Sequence, residues 1–257
     1  MGAPSTSIRR EPTRSRAAST AIGLALAGAI CGGWLLLLGF GLFRMELAPQ
    51  TLPVAIALSL ILCWLFVGLF IVAHDAMHGS LAPGHPALNA RIGALILMLY
   101  AGFSWTKLRS AHFEHHRHAG TPGDPDFAAS HPRNPLRWYL VFLKRYFGWR
   151  SLAFVVALVW GLHLIADVPM ANIVLFYGLP SIASSIQLFY FGTYRPHRHE
   201  GQDGPGFADS HNARSERFGP LASLASCYHF GYHLEHHRRP DIPWWGLPKA
   251  RREGVGR

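Results

Sequence analysis

Long uncharged stretches constrain this chain more than any other feature of its sequence. Ala21 to Phe43 and Leu47 to Ala73 carry no charged residue, and as helices both are long enough to cross a hydrocarbon core of about 30 Å. Two further apolar runs, Ser151 to Ala166 and Val168 to Tyr194, lie on either side of Asp167. The sequence therefore predicts an all-α integral membrane protein with four transmembrane helices in two hairpins, plus interfacial helices and a cytoplasmic histidine-rich cap.

The composition agrees with membrane embedding. Half of the 257 residues are hydrophobic and 15% are charged, whereas about a quarter of the residues of a soluble domain are charged. A net charge of +10 is also typical of nucleic-acid binding, but the charges lie beside the apolar spans and no nucleic-acid motif accompanies them. The three cysteines have no paired spacing, so a disulfide framework is not expected.

The chain is interpreted as a single domain covering residues 1–257. Its first 20 residues contain four arginines among Ser, Thr and Pro, and they are predicted to form a disordered cytoplasmic tail. A cleaved signal peptide is the weaker alternative, because the apolar run that follows is too long for the hydrophobic region of such a peptide.

Histidines cluster in three places. Within each cluster some histidines are three or four residues apart, a spacing that places two side chains on one face of a helix. The clustered residues are His74 and His78; His112, His115 and His116; and His233, His236 and His237.

Two of the clusters end in adjacent histidines, which diverge by about 100° around a helix axis. Each such doublet is therefore suited to serve two metal ions instead of chelating one. Neutral imidazole suits iron, zinc, copper and nickel, so the pattern predicts a pair of transition-metal ions, with iron favoured if oxygen chemistry is intended. Asp75, Asp124 and Asp126 are candidates to accept the second N–H of ligand histidines. Glu114 and Glu235 either do the same or balance nearby Arg and Lys.

The clusters can share metals only if they lie on one side of the membrane. The short uncharged run Ile92 to Thr106 is accordingly predicted to be interfacial or re-entrant instead of a fifth crossing. All but one of the 24 Lys and Arg residues, Arg44, then lie on the histidine side. Because cytoplasmic loops carry the excess of basic residues, the metal site and both termini are predicted to be cytoplasmic.

A dinuclear centre at the bilayer surface can meet a substrate dissolved in lipid, while water and a soluble electron donor approach from the cytosol. Oxygen-dependent attack on an unactivated C–H bond is the chemistry that this arrangement favours. Metal-dependent hydrolysis is less natural, since it needs only an activated water. A non-catalytic metal-binding or transport protein would place histidines within its spans, whereas here only His163 lies well inside one.

The segments around the clusters carry a family resemblance that covers most of the chain after about residue 70. They resemble those of the bacterial β-carotene ketolases, within the membrane fatty acid desaturase/hydroxylase superfamily. The matching segments are H-D-A-M-H-G at 74–79, H-H-R-H-A-G-T-P-G-D-P-D-F at 115–127, F-G-T-Y-R-P-H-R at 191–198, H-N-A-R-S at 211–215, C-Y-H-F-G-Y-H-L-E-H-H at 227–237 and P-W-W at 243–245.

That resemblance implies keto groups inserted at C4 and C4′ of β-ionone rings, turning β-carotene through echinenone into canthaxanthin, or hydroxylated rings into astaxanthin. It also implies two iron ions, O2 as co-substrate, a ferredoxin-type electron donor and a bacterial inner-membrane location, with membrane lipids and no nucleic acid as surroundings. The eight clustered histidines would be iron ligands, joined by His197, for which His118, His211 and His229 are rivals. Arg195 departs from the apolar residue expected there. A carotenoid ring hydroxylase and an acyl-lipid desaturase would bind metal through the same histidine pattern, and both remain alternatives.

Overall fold

The structure is a computed structural model that describes residues 15–199 and 206–255, and within these ranges the regular elements are all helical. Residues 1–14 of the predicted disordered tail lie outside the described residues. Helix α1, Arg16–Phe43, begins inside that predicted tail, because the hydroxyl of Ser15 accepts a hydrogen bond from the backbone N–H of Ala18 and caps the helix.

Helix α2, Leu52–His78, starts five residues later than the predicted span. The reason is local: the Thr51 hydroxyl accepts from the N–H of Ala48 and donates to the carbonyl of Glu46, which holds this segment in a turn. At its other end α2 runs past the apolar residues and carries the first histidine cluster one turn further. It stops at Gly79, whose φ of 75° is a conformation that glycine adopts without strain.

The next two helices turn back on themselves. Helix α3, Pro86–Ala101, and helix α4, Trp105–His118, differ in direction by 102°. The break falls at Gly102, where φ is 65° and a Cβ atom would lie 2.7 Å from Phe154. The apolar run predicted to be interfacial or re-entrant therefore belongs to a sharply bent helix pair.

A second bent pair follows. Helix α5, Pro135–Tyr146, meets helix α6, Trp149–Leu164, at 84°. Asp167, with a φ of 54°, turns the chain into helix α7, Met170–His197. This long helix contains two π-helical segments, Val174–Gly178 and Tyr190–Tyr194.

Shorter elements complete the chain. They are α8, Pro220–Cys227; α9, His233–Arg238; a 3-10 turn, Trp244–Gly246; and α10, Leu247–Arg252. Helix α2 is the central element, since it packs against α1, α3 and α7 and is buried along most of its second half. By length and composition, α1, α2 and α7 can each cross a membrane, and the number rises to five if each bent pair counts as one span.

Candidate metal centre

Nine histidines converge where α2, α4, α7 and α9 end or begin. They form two groups, and in each group one ring nitrogen of every member lies within 4.8 Å of the others. The first group contains His74, His78, His112, His116 and His236, and the second contains His115, His197, His233 and His237. All eight clustered histidines are thus brought together with His197.

Both histidine doublets are divided between the groups, as their angular divergence predicts. His116 and His236 face each other in the first group, with 3.1 Å between their Nε2 atoms. Their neighbours His115 and His237 belong to the second group. Two short helical segments therefore contribute to both groups at once, which ties the two positions rigidly together.

The donor set fits transition-metal ions. The Nε2 atoms of His78 and His112 are 2.7 Å apart, and those of His197 and His233 are 2.9 Å apart, so nitrogen atoms face nitrogen atoms. Both ring nitrogens of His74 are buried without a hydrogen-bond partner among the described residues. A shared cation would satisfy these converging lone pairs, and imidazole donors suit borderline ions such as iron.

The protonation state on α9 favours metal binding as well. Burial first, and then repulsion between neighbouring imidazoles, holds the pKa of His233, His236 and His237 well below the usual value for histidine. These rings are therefore neutral near pH 7, which is the form that ligates a metal.

A buried carboxylate orients one of the ligand candidates. Both oxygens of Asp124 lie 3.0 Å from Nδ1 of His115 and accept its N–H, leaving Nε2 free for the second group. Burial alone would raise the pKa of Asp124, but His115 and the backbone N–H groups of Asp126 and Gly120 outweigh it and hold that pKa below its usual value. Asp126 is further away, 3.9 Å from the same nitrogen, and accepts a hydrogen bond from the hydroxyl of Tyr146.

Asp75 lies on α2 beside the first group and has a different partner. One of its oxygens is 3.5 Å from Nδ1 of His74, which is long for a hydrogen bond, and the other accepts the backbone N–H of Trp244 at 2.9 Å. Asp75 therefore fastens the C-terminal segment to the end of α2. His197 is oriented by a backbone group, since its Nδ1 donates to the carbonyl of Asn212.

The two glutamates within the histidine clusters pair with arginine. Glu114 contacts Arg117 on the exposed side of α4, and the buried Glu235 accepts hydrogen bonds from Arg251 and from the hydroxyl of Ser215. Arg195, the departure from the family pattern, forms an ion pair with Glu216.

The rival histidines lie outside both groups. His118 is exposed next to Glu114, whereas His229 stacks on Tyr232 and Trp244. His211 approaches His237 only through ring contact, at 6.2 Å between centroids.

An apolar pocket leads away from the histidines. It holds about 950 Å³ of space between α2, α4, α5 and α7, part of it open to the surroundings. Histidines of both groups border it, namely His74, His112, His115 and His233. Most of the remaining wall is aromatic or aliphatic, and about half of it comes from α5 and α7. The residues that α5 contributes were not singled out by sequence reasoning. Only the amphipathic pattern of α5 could have indicated them.

Comparison with known proteins gives consistent matches. The fatty acid desaturase family profile matches residues 49–152 and 142–256. Two proteins named beta-carotene ketolase, both from Paracoccus strains, are 50% and 48% identical; each match covers 91% of this chain and 94% of the relative. A zeaxanthin 4-ketolase from Chlamydomonas reinhardtii is 39% identical over 91% of this chain and 54% of its own length.

Proposed function

The chain belongs to the fatty acid desaturase family, and on that premise we propose that it is a β-carotene ketolase, an oxidoreductase that inserts keto groups at C4 and C4′ of β-ionone rings. The single observation that carries this proposal is the conjunction of two histidine groups with an apolar pocket that both groups border. A pocket with little polar lining suits a hydrocarbon ring, and the histidines at its inner end are where the reacting carbon must lie.

We propose that the two groups hold two iron ions, with the five histidines of the first group on one ion and the four of the second on the other. When bound, this iron pair supplies the activation of O2 that an unactivated C–H bond requires. Asp124 keeps His115 in the tautomer whose Nε2 is free to ligate, and the carbonyl of Asn212 does the same for His197. The all-histidine set distinguishes this site from the carboxylate-rich di-iron sites of soluble bundles.

The stoichiometry of the reaction requires a reductant. Two successive hydroxylations at C4 each consume one O2, two electrons and two protons and release one water, and the resulting geminal diol loses another water to give the ketone. The protein's share is to keep C4 against the histidine groups while bulk water is excluded by the aromatic walls of the pocket, including Phe70, Phe103 and Phe230. Electrons would come from a soluble, ferredoxin-type donor.

One surface crevice suits the approach of that donor. It is lined by Lys107, Pro122 and Arg145, and Asp124 lies at its floor, one hydrogen bond from His115. Both cations are exposed, so an acidic electron carrier can pair with them. The crevice therefore offers a short route from the aqueous surface to the second histidine group.

We infer four membrane crossings, formed by α1, α2, α6 and α7. His78, at the end of α2, lies against His112 on α4, so the chain between them must return to the side that it left. This contact supports a re-entrant reading of α3 and α4. The metal site and both termini would then face the cytoplasm of a bacterial inner membrane, where the excess of basic residues is expected.

Expression in a bacterium that produces β-carotene, followed by separation of the pigments, tests the proposal. We expect echinenone and canthaxanthin to accumulate. A hydroxylated carotenoid would point to a ring hydroxylase, and a new double bond in membrane lipid would point to an acyl-lipid desaturase. A chain that binds iron and leaves both carotenoid and lipid unchanged would be a metal-binding or transport protein.

A further inference from the structure

Helix α5 presents three different faces. Its inner face carries Tyr139, Phe142 and Tyr146, spaced three and four residues apart, and all of them line the pocket. Beside this face, Leu136 and Leu140 are 67% and 55% exposed. An apolar stripe thus runs along the outside of a helix whose other side already closes the substrate pocket.

The third face of α5 carries cations, and these indicate which environment surrounds Leu136 and Leu140. Arg137 and Lys144, seven residues apart, are exposed on the side away from the pocket. A helix that combines a leucine stripe with a flanking row of cations is typical of one lying in a bilayer interface. The 84° bend between α5 and α6 agrees with this, because a helix at right angles to a span lies in the membrane plane.

The leucine stripe continues onto neighbouring elements. On α7, Ile182 and Ile186 are 57% and 47% exposed, and on α6, Leu152 is 53% exposed. These side chains belong to segments that cross the membrane in the proposed topology. Ile182 and Ile186 flank Ser185, which contacts Tyr139 of α5, so α5 adjoins the lipid-facing side of α7 and the bilayer is the occupant that its leucine stripe fits.

Between α5 and α7 one polar contact crosses the pocket wall. The hydroxyls of Tyr139 and Ser185 are 2.6 Å apart, and both residues line the pocket. Ser185 lies twelve residues before His197 on α7, which corresponds to about 18 Å along a helix axis. The contact therefore lies toward the outer end of the pocket, away from the histidines.

Because of the length of a carotenoid, the contact between Tyr139 and Ser185 bears on substrate binding. A C40 carotenoid is a stiff rod comparable to the hydrocarbon core of a bilayer, about 30 Å. With one ring at the histidines, the polyene extends past the level of Ser185 and has to leave the pocket there. An exit between α5 and α7 would pass the point where the hydroxyls of Tyr139 and Ser185 now meet.

We propose that α5 is a gate at the membrane surface: the carotenoid enters and leaves from the lipid between α5 and α7, and the Tyr139–Ser185 hydrogen bond is the latch that must open for it to bind. This inference rests on the proposed ketolase function. It assigns to α5 a lipid-facing role and to Tyr139 and Ser185 a role in substrate admission.

Removing the latch should help binding, because the wild-type protein loses that hydrogen bond whenever substrate is bound. For Tyr139→Phe and for Ser185→Ala we expect KM for β-carotene in lipid vesicles to fall about fivefold, the effect of one neutral hydrogen bond. The kcat should stay within about twofold. Because both substitutions break the same contact, the double variant should resemble either single variant.

The matched control is Tyr190→Phe, which removes a tyrosine hydroxyl on α7 outside the latch and should leave KM as in the wild type. Equilibrium binding of β-carotene to the protein under argon, followed by the pigment's absorption shift, gives a readout independent of turnover and should show the same fivefold gain. An unchanged or increased KM, or effects that add in the double variant, would overturn the latch. A wild-type protein that forms no keto product at all would instead overturn the ketolase proposal.

The lipid contact of α5 has its own test. A membrane-impermeant maleimide applied to inverted vesicles should label Lys144→Cys and leave Leu140→Cys at the level of the wild-type protein, which corrects for its three native cysteines. Equal labelling of both variants would mean that the leucine stripe faces water and not lipid, which would overturn the lipid contact of α5.

Discussion

At the scale of single residues, the centre combines neutral rings with buried, converging nitrogen atoms. His236 is nearly inaccessible to solvent and shares its group with imidazoles from α2 and α4. Without a cation, such an arrangement leaves lone pairs facing one another in a medium that hydrates them poorly. We therefore expect a bound metal to stabilise the local fold, and loss of a ligand histidine to lower the metal content before it affects the rest of the chain.

Loss of a single histidine from either group should reduce iron binding. For His236→Ala and for His237→Ala we expect bound iron to fall from about two ions to about one per chain, with turnover lost, because each substitution removes a donor from a different group. Metal analysis of the purified protein measures this. The exposed His118, in neither group, provides the control His118→Ala, which should keep its iron. Full iron content in both test variants would contradict the ligand assignment.

The metal-free protein should lose stability in mild acid. His233, His236 and His237 have a folded-state pKa well below the unfolded value of about 6.5, so at pH 5 the unfolded chain binds protons that the folded chain does not. Unfolding is therefore favoured as the pH falls below about 6.5 and is insensitive to these groups above it. Thermal unfolding of the apoprotein at pH 7.5, 6.5 and 5.5 measures this. A Tm that is constant across the series would argue against buried neutral rings.

Much of the centre could be predicted at this scale because histidine spacing on a helix fixes direction, and the division of His115 from His116 follows from that alone. The partners of the carboxylates could not. Asp75 meets Trp244 and Glu235 meets Arg251 only after distant segments have packed, and no local pattern encodes such contacts. The sequence indicated carboxylates near the metal and left their partners open.

At the scale of helices, α7 shows how an irregular element delivers a ligand. Each of its π-helical segments ends just before a proline, Pro180 or Pro196, which lacks the N–H needed for a regular helical bond. The widened turn at Tyr190–Tyr194 ends three residues before His197 and changes the direction in which that side chain leaves the helix. Hydrophobic periodicity predicts a span here, but it does not predict the π-helical segments, whose turns are wider than those of an α-helix.

The joint between α9 and α10 should be important for stability. Glu235 is buried, and its carboxylate is held by Arg251 from α10. Arg251→Ala would leave this charge without its ion-pair partner, and we expect a loss of about 2–3 kcal/mol, typical of a hydrogen bond to a charged group. Arg239→Ala breaks an exposed pair with Asp241 and should cost less than about 1 kcal/mol. Comparing the thermal stabilities of the two detergent-solubilised variants measures the difference, and equal losses would contradict it.

At the scale of the whole molecule, the positions of the spans were predictable because they depend on the length of apolar runs. The ends and bends of the helices were not, because they depend on local hydrogen bonds and backbone conformation. The apolar runs located α1, α2, α6 and α7 to within a few residues. The late start of α2 depends on the Thr51 hydroxyl, and the bend after α3 depends on Gly102, neither of which alters hydropathy. The number of membrane crossings therefore has to be argued from geometry, and the contact between His78 and His112 favours four crossings over five.

Reporter fusions can decide the topology. Alkaline phosphatase is active only outside the cytoplasm, so we expect activity for fusions after Glu46 and Asp167, the tips of the two hairpins, and none after Gly84 or His131. A fifth crossing by α3 and α4 would place residue 131 outside and make that fusion active. The charge distribution favours the first outcome, because Arg44 is the single basic residue near an external tip in the four-span arrangement. Activity after His131 would separate the first histidine cluster from the third across the bilayer and remove the shared metal centre with it.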